Sequence, residues 1–311
     1  MSAFRKLRRC VELPIWGAEQ PVCYRQDGKH RRRGLQYIST ALNLRLCSTL
    51  AVSVKFCPCG GLAGGAALMK LLRDRESFEV RGYSAQPLPW SVDELDSCRG
   101  MVAGTDYSNF IRIKQSTFPD DVVIEWAWPQ HLPLGGYFWG YNYLAFGDYN
   151  GDRPGIIAPV KVKDLHDCFI QATYLLDTGG HGHNVLCDIF LTGRPNDMRS
   201  VVGELGVLLF PGEDDIAFLQ HGKNLGVYRD QHGEWRAVNA GLNPMGVPYY
   251  VLVPQPARRI MGKLDLRSMM AFLIGCQVLD GHVWCNGVAL GVEPHQGSGR
   301  VRIQSFSATL G

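Results

Sequence analysis

From residue 109 to the C-terminus, the chain is a succession of short segments in which apolar and polar residues alternate. Residues 109–114 and 122–128 show the pattern, and the second segment places Ile124, Trp126 and Trp128 on one face. A period of two is that of a β-strand, whose successive side chains point to opposite faces. Gly and Pro turns separate the segments, and the chain contains 36 Gly. The pattern predicts an all-β sandwich or barrel.

Further strands are predicted at 155–162, 168–176, 184–191, 205–210, 224–229, 234–239, 248–253, 284–291 and 300–310. One segment departs from the period of two. Residues 265–274 carry their apolar side chains at helical spacing, and Asp265 is placed to cap the first turn. We therefore expect one short helix between the late strands.

Residues 1–95 show no such periodicity and differ in charge from the rest. The first 75 residues carry 14 Lys and Arg against 4 Asp and Glu, although the net charge of all 311 residues is only +3. Residues 63–72 suggest a short helix, and Pro87 and Pro89 indicate a linker because proline disrupts helices and central strands. The sequence thus predicts a basic N-terminal extension, residues 1–95, followed by a β-domain, residues 96–311.

The role of this extension stays open between two interpretations. Basic residues 29–33 precede an apolar run, 34–54, which resembles an export signal with residues ahead of it, but Arg45 interrupts the run. The alternative is a disordered basic arm. Nucleic-acid binding is less favoured, because no aromatic–basic interleaving follows. No apolar stretch reaches the roughly 18 residues of a membrane span, so no membrane insertion is expected.

Two glutamates are candidate functional residues. Glu293 stands between an apolar run and a Gly-rich turn, and Pro294 makes it extended and places it where a strand is interrupted or at an edge. Glu204 precedes the apolar residues 205–210, where burying an ionised carboxylate costs several kcal/mol unless it is paired or exposed. Two carboxylates on one concave sheet are the minimum equipment for glycoside hydrolysis, one as acid and the other as base or nucleophile.

At these positions the chain resembles glycoside hydrolase family 12. Residues 291–299, Gly-Val-Glu-Pro-His-Gln-Gly-Ser-Gly, are similar to the family's C-terminal Gly-x-Glu-Pro-(Phe/Trp)-x-Gly-(Ser/Gly)-Gly run, which carries the acid/base. Residues 184–190 resemble its Asn-Val-Ala-Tyr-Asp-(Ile/Leu)-Phe strand, and residues 125–128 resemble Asp-Trp-x-Trp. Glu204 occupies the nucleophile position of a Glu-(Leu/Ile)-Met-Ile-Trp strand. The resemblance covers residues 105–310 and excludes the first 95.

The resemblance implies a concanavalin-like β-jelly-roll of two stacked antiparallel sheets with a concave cleft. It also implies a secreted monomer that carries out retaining endo-hydrolysis of β-1,4-glucan or xyloglucan without a metal or cofactor. In this interpretation Glu204 is the nucleophile, Glu293 is the acid/base and Asp188 supports the nucleophile. Trp126 and Trp128 are expected to stack on sugar rings, although packing between the sheets is an equal alternative.

Three departures from the family pattern bear on the substrate. Gly206 to Leu208 replace Met-Ile-Trp after the nucleophile, which is expected to widen the cleft. His295 replaces an aromatic residue after Glu-Pro and is counted among the substrate-binding residues. The Asn-Asn-Leu-Trp motif is reduced to residues 108–111, which leaves Asn109 as its candidate substrate contact.

Two other classes of function remain open. One is a carbohydrate-binding or host-interaction protein on the same scaffold with little turnover, which the lost aromatic positions favour. The other is an unrelated β-sandwich binding module. A metal site at His181 and His183 competes with a surface turn, and calcium at residues 213–215 competes with a solvated acidic loop. The spacing of Cys57 and Cys59 argues against a zinc ribbon. The pairing of the ten cysteines is not decided.

Overall fold

The computed structural model describes residues 68–152, 157–177 and 182–311. The signal-like segment, Cys57, Cys59 and His181 lie outside these residues, so the predictions made for them stay predictions. In the described part, no helix is long and apolar enough to cross a membrane.

The described residues form seventeen strands and three α-helices. The strands are β1 (Met69–Leu72), β2 (Phe78–Val80), β3 (Tyr83–Leu88), β4 (Ser108–Lys114), β5 (Val122–Ala127), β6 (Tyr141–Gly147), β7 (Val160–Lys161), β8 (Cys168–Leu176), β9 (His183–Thr192), β10 (Val201–Phe210), β11 (Lys223–Asp230), β12 (Gly233–Leu242), β13 (Pro248–Gln255), β14 (Gly262–Asp265), β15 (Trp284–Cys285), β16 (Gly287–Pro294) and β17 (Ser298–Leu310). The helices are α1 (Trp90–Glu94), α2 (Glu213–Leu219) and α3 (Leu266–Gly275).

The strands form two sheets, as predicted. The first sheet has the order β1-β4-β5-β17-β8-β14. The second has the order β11-β12-β13-β10-β9-β16-β6-β3-β2, and the short β15 pairs with β9 and β7. Neighbouring strands are antiparallel except for β10 and β13, which run parallel. The alternation read from the sequence is therefore that of a two-sheet β-jelly-roll.

The main core consists of the faces that the two sheets turn towards each other. From β9 it receives Val185, Cys187 and Ile189, all fully buried. Because side chains alternate along a strand, the residues between them face the other side of the second sheet. That second side carries a smaller apolar cluster built around tyrosines and the residues of α2.

The predicted helix is confirmed as α3. Asp265 accepts a hydrogen bond from the backbone N–H of Ser268, which is the N-cap contact expected from the sequence. One short helix was expected, but the described residues also form α1 and α2. Both are short, at five and seven residues, and their sequences carry no long helical period.

The predicted domain boundary at residue 95 lies too far along the chain. β1 pairs with β4, and β3 pairs with β6, so residues from 69 onward belong to the two sheets. The segment predicted as a helix at 63–72 contains β1 instead. Pro87 is compatible with β3 because it lies beyond the residues of β3 that pair with β2.

The sequence also missed β6, which lies between β16 and β3 in the second sheet. Six of its seven residues are buried, so both faces are covered and polar alternation is lost. The five cysteines within the described residues, at 98, 168, 187, 276 and 285, are all free thiols.

Candidate active site

Three carboxylates lie on one face of the second sheet. β9 stands between β10 and β16, with Glu204 opposite Phe190 and Glu293 opposite Asn184. Directly paired residues point to the same side of a sheet, and residues two apart along β9 share a face. Asp188 therefore lies on the same side as Glu204 and Glu293. We call this side, opposite the main core, the carboxylate face.

Aromatic rings surround Asp188 on the carboxylate face. The Tyr149 ring lies 5.1 Å from that of Tyr143 and 5.2 Å from that of Phe190, measured between centroids. Tyr143 and Tyr149 are almost fully buried, whereas Phe190 and Tyr249 are partly exposed. The face thus combines ionisable groups with apolar surface of the kind that packs on sugar rings.

Asn243 holds Glu204 from the neighbouring β12–β13 turn. Its Nδ2 donates to Glu204 Oε2 at 2.6 Å, while its Oδ1 accepts from the backbone N–H groups of Met245 and Val247 at 2.9 and 3.2 Å. These backbone donors fix the orientation of the amide. Burial raises the pKa of Glu204, and the side-chain hydrogen bond from Asn243 and then the neighbouring Asp188 carboxyl group oppose that rise.

Asp188 is 3% exposed and accepts a hydrogen bond from the Tyr149 hydroxyl at its Oδ2, at 2.5 Å. Among the described residues, its Oδ1 has no hydrogen-bond partner within normal distance. Burial and then the charge of Glu204 raise the pKa of Asp188 well above its ordinary value. A raised pKa favours the protonated form of Asp188, and the neighbouring Asp188 carboxyl group in turn lowers the pKa of Glu204.

Glu293 has a different environment, built around Asn184. Asn184 Nδ2 donates to Glu293 Oε2 at 2.6 Å and to Asp215 Oδ1 at 3.1 Å, so the two carboxylates share one donor. Burial and then the charge of Asp215 raise the pKa of Glu293 to about 8. A carboxyl group with this pKa carries a proton at neutral pH, as a general acid must.

Asp215 reaches this position because α2 begins directly after β10. Its Oδ2 accepts from the backbone N–H of Gly212 at 2.7 Å, which fixes the first turn of the helix. The side chain is 15% exposed, and burial raises its pKa. The sequence predicted a solvated acidic loop at residues 213–215. Instead, Asp215 points into the site, and its contact with Asn184 across the fold has no local sequence signal.

His295 lies between two acidic residues of α2. Its Nε2 is 3.4 Å from Asp215 Oδ1, and its Nδ1 is 3.5 Å from Asp214 Oδ2. The side chain is 3% exposed. His295 was predicted to contact substrate directly, but its burial corrects this expectation and makes it a neighbour of the acid/base group instead.

The other predicted substrate contacts lie inside the sandwich. Trp126 and Trp128 are 3% and 4% exposed and belong to the main core, so the packing alternative describes them. Asn109 is also buried and accepts from Asn142 Nδ2 at 2.6 Å. Alternation showed that the two tryptophans share a face, but it did not show which face turns towards the core. Burial corrects the prediction that these three residues bind sugar.

The expected widening after Glu204 is also corrected. A Cβ atom at Gly206 would lie 2.6 Å from the Tyr249 hydroxyl oxygen, so the tyrosine ring fills the space that a larger residue at 206 would take. Leu208, at the family's Trp position, is 2% exposed. Tyr249 is thus a site residue that no sequence pattern indicated, because it pairs with Glu204 from a strand 45 positions further along the chain.

A two-sheet jelly-roll with acidic residues on the outward face of one sheet defines the structural class. No protein-family model matches the sequence, and no curated protein matches it. Solved structures do match. A family 12 xyloglucanase from Bacillus licheniformis superimposes with a TM-score of 0.62 at 15% identity, covering 78% of this chain and 100% of that chain.

Two further structures agree. Endoglucanase 3 of family 12 from Trichoderma harzianum gives a TM-score of 0.59 at 16% identity, covering 79% of this chain and 100% of its own. The catalytic domain of Humicola grisea Cel12A, in complex with a thio cellotetraose, gives 0.58 at 16% identity, covering 78% of this chain and 99% of that chain. The chain therefore has the fold of glycoside hydrolase family 12.

Proposed function

We propose that the protein is a retaining, endo-acting glycoside hydrolase that cleaves β-1,4-glucan of the cellulose or xyloglucan type. The observation that carries the proposal is the placement of Glu204, Asp188 and Glu293 on one face of this fold. The unequal environments of the two glutamates support it, because Glu293 favours a proton and Glu204 receives donors that favour its charge. The named activities of the solved neighbours agree with this substrate class.

In the first step, Glu293 gives its proton to the glycosidic oxygen as the bond from that oxygen to the anomeric carbon breaks. A carboxylate oxygen of Glu204 attacks the same carbon and forms a covalent glycosyl-enzyme. Asn243 and Asp188 orient Glu204 and favour its charged form before attack. The leaving sugar departs with the proton of Glu293.

In the second step, the ionised Glu293 removes a proton from water, and the water oxygen attacks the anomeric carbon. The bond to Glu204 breaks, which restores the starting protonation of both groups. Two displacements return the original anomeric configuration. Asn184 contacts Glu293 through its Nδ2, and its Oδ1 accepts from the Glu293 backbone N–H at 3.3 Å, which holds the acid in place through the cycle.

Partly exposed aromatic rings take the substrate-binding role that the buried tryptophans cannot take. Phe190 lies opposite Glu204 on β9, and Tyr249 lies opposite it on β13. Both present apolar faces beside the proposed nucleophile, where a sugar ring would pack. A glucan polymer outside the cell is the substrate that this arrangement fits, so we place the protein's action there, as a monomer.

The test is the release of reducing ends from xyloglucan, carboxymethyl-cellulose and mixed-linkage β-glucan by the full chain. We expect hydrolysis of at least one polymer with retained anomeric configuration by proton NMR. Glu204→Gln and Glu293→Gln should each lower the rate by about 10²–10⁴-fold, with circular dichroism unchanged. Saturable binding without turnover in the wild type would instead identify a carbohydrate-binding protein, and unchanged activity in Glu204→Gln would exclude it as the nucleophile.

A further inference from the structure

We propose that Asp215, Glu293 and His295 form a binding site for a divalent transition-metal ion, with Zn²⁺ as the probe. One ligand atom from each residue lies within 4.8 Å of the others. Imidazole nitrogen and carboxylate oxygen are among the ligands that Zn²⁺ takes in proteins. The proposed ion is an inhibitor of the site and has no part in the hydrolysis described above.

The spacing of His295 and Asp215 fits shared coordination better than a hydrogen bond. Their Nε2 and Oδ1 atoms are 3.4 Å apart, whereas N–H···O bonds span about 2.7–3.2 Å. Two ligands of a tetrahedral ion with Zn–N and Zn–O bonds of about 2.0–2.2 Å lie roughly 3.3–3.5 Å apart. The pair therefore has the separation of two atoms that bind one ion.

The other nitrogen of His295 supplies an independent observation. Nδ1 is buried and has no hydrogen-bond partner among the described residues, although the side chain is 3% exposed. Asp214 Oδ2 lies 3.5 Å from this nitrogen. Histidines that bind zinc through one nitrogen commonly present the other to a carboxylate, which fixes the ring and the tautomer. At 3.5 Å Asp214 is too far for a hydrogen bond, but its side chain is 40% exposed and would move closer to take that supporting role once the ion is bound.

The charge balance of the cluster also favours a cation. Asp215 and Glu293 share the single side-chain donor Asn184, and Asp215 has one further backbone donor at Gly212. Within residues 68–152, 157–177 and 182–311, no Lys or Arg is seen in an ion pair with either carboxylate. Crowded, buried carboxylates require protons or a cation to offset their repulsion. A metal ion would replace the protons.

The consequence for activity rests on the proposed function. An ion bound to Glu293 occupies the carboxylate that must carry the acidic proton, so the loaded protein could not protonate the leaving oxygen. Zn²⁺ should then inhibit reversibly, and a chelator should restore the rate. Binding itself can be measured without any turnover, which separates this proposal from the hydrolase proposal.

The experiment is a Zn²⁺ titration of the full chain in competition with a chromophoric chelator, with thiols kept reduced. Wild type is compared with Asp215→Asn and His295→Gln. Asp188→Asn is the matched control, because it replaces another buried carboxyl group on the same face by an amide. Since cysteines also bind Zn²⁺, the readout is the difference in bound ions between variants that contain the same ten cysteines.

We expect wild type and Asp188→Asn to bind one more ion than Asp215→Asn and His295→Gln, and Asp214→Asn to bind it about 10–100-fold more weakly. Equal stoichiometry and affinity in wild type, Asp215→Asn and His295→Gln, all folded by circular dichroism, would overturn the site. The expected binding difference in a protein that hydrolyses no glucan would support the metal site and refute only the proposed function.

Discussion

Glu204 and Glu293 lie at two ends of the carboxylate face, and their neighbours shift their pKa values in opposite directions. Glu204 accepts a hydrogen bond from the side-chain amide of Asn243 and lies near Asp188, whose raised pKa favours its protonated form. Glu293 shares its amide donor with Asp215, whose charge adds to the effect of burial. Both glutamates are partly withdrawn from water, so burial alone would raise both pKa values. The neighbours decide which carboxyl group favours its charge and which favours its proton.

Under the proposed function, this difference lets one sheet support two chemical roles for its glutamates. Neutral donors stabilise a carboxylate without cancelling it, which leaves it nucleophilic. A like charge nearby keeps the other group protonated at a pH where an exposed glutamate would be ionised.

The largest expected effect is a difference between the Glu204 and Glu293 variants on a substrate whose leaving group needs no protonation. On a β-cellobioside with a dinitrophenolate leaving group, departure needs no acid, so Glu293→Gln should still release a burst of dinitrophenolate. Glu204→Gln should lack the burst and react at least about 10³-fold more slowly, because no glycosyl-enzyme forms. Stopped-flow absorbance measures both. A burst of dinitrophenolate from Glu204→Gln would show that Glu204 is not the nucleophile.

The next prediction concerns Asn243, whose side-chain amide donates a hydrogen bond to Glu204, the proposed nucleophile. Asn243→Asp keeps the oxygen that accepts from Met245 and Val247 but replaces the donor by a second carboxyl group. A lost hydrogen bond to a charged group is worth about 1.5–3 kcal/mol, so kcat/KM should fall about 10–100-fold. The acidic limb of the pH profile should move to higher pH.

The matched control is Asn239→Asp. Asn239 also accepts from a backbone N–H two residues further on, that of Gly241 near the end of β12, but it is not the residue that donates to Glu204. Its replacement should leave kcat/KM and the acidic limb unchanged. If both variants lose activity equally, the turn and not the donor is responsible.

A smaller effect, on the pH profile, should follow from removing the negative charge of Asp215 beside Glu293, the proposed general acid. Asp215→Asn keeps an oxygen for Asn184 but loses the charge that raises the pKa of Glu293. The alkaline limb of kcat/KM, measured with a chelator present, should move to lower pH by about one unit, or ~1.4 kcal/mol. Asp214→Asn, a half-exposed neighbour, should move it less. A shift to higher pH in Asp215→Asn would contradict the electrostatic argument.

The smallest expected effect is on the free energy of unfolding and concerns Glu125, a carboxylate on the first sheet and outside the site. Glu125 is hydrogen-bonded by Arg112 at 2.6 Å and by Arg300 at 2.7 Å. Burial opposes its charge, but the two arginines outweigh it and lower its pKa, so its contribution to stability is present above its unfolded pKa and is lost as pH falls. Glu125→Gln should lower the free energy of unfolding by about 1 kcal/mol in urea titrations at pH 7 without changing hydrolysis.

The sequence predicted the features that depend on local pattern. Alternation indicated most strands, helical spacing and Asp265 indicated α3, and the resemblance selected Glu204 and Glu293 before their register was known. The strands it missed had lost their pattern: β6 is covered on both faces, and β1 to β3 are short. In each case the sequence lacked the alternation of apolar and polar residues that marks a strand with one buried and one solvent-exposed face.

The neighbours of the glutamates could not be predicted because they come from distant segments. Asn243 meets Glu204 across 39 positions, and Asn184 meets Glu293 across 109. Asp215 reaches the site through a seven-residue helix whose sequence resembles a solvated loop. Trp126 was misplaced because alternation shows which residues share a face and leaves open which face is buried.

The most direct test of the central assignment is to trap the glycosyl-enzyme. The full chain would be incubated with a 2-deoxy-2-fluoro-β-cellobioside carrying a dinitrophenolate leaving group, digested, and analysed by mass spectrometry. The fluorine slows the second displacement and lets the covalent intermediate accumulate. We predict one label per chain, on the peptide that contains Glu204. A label on Glu293 or Asp188, or turnover with inverted configuration and no label, would contradict the division of roles between the two glutamates.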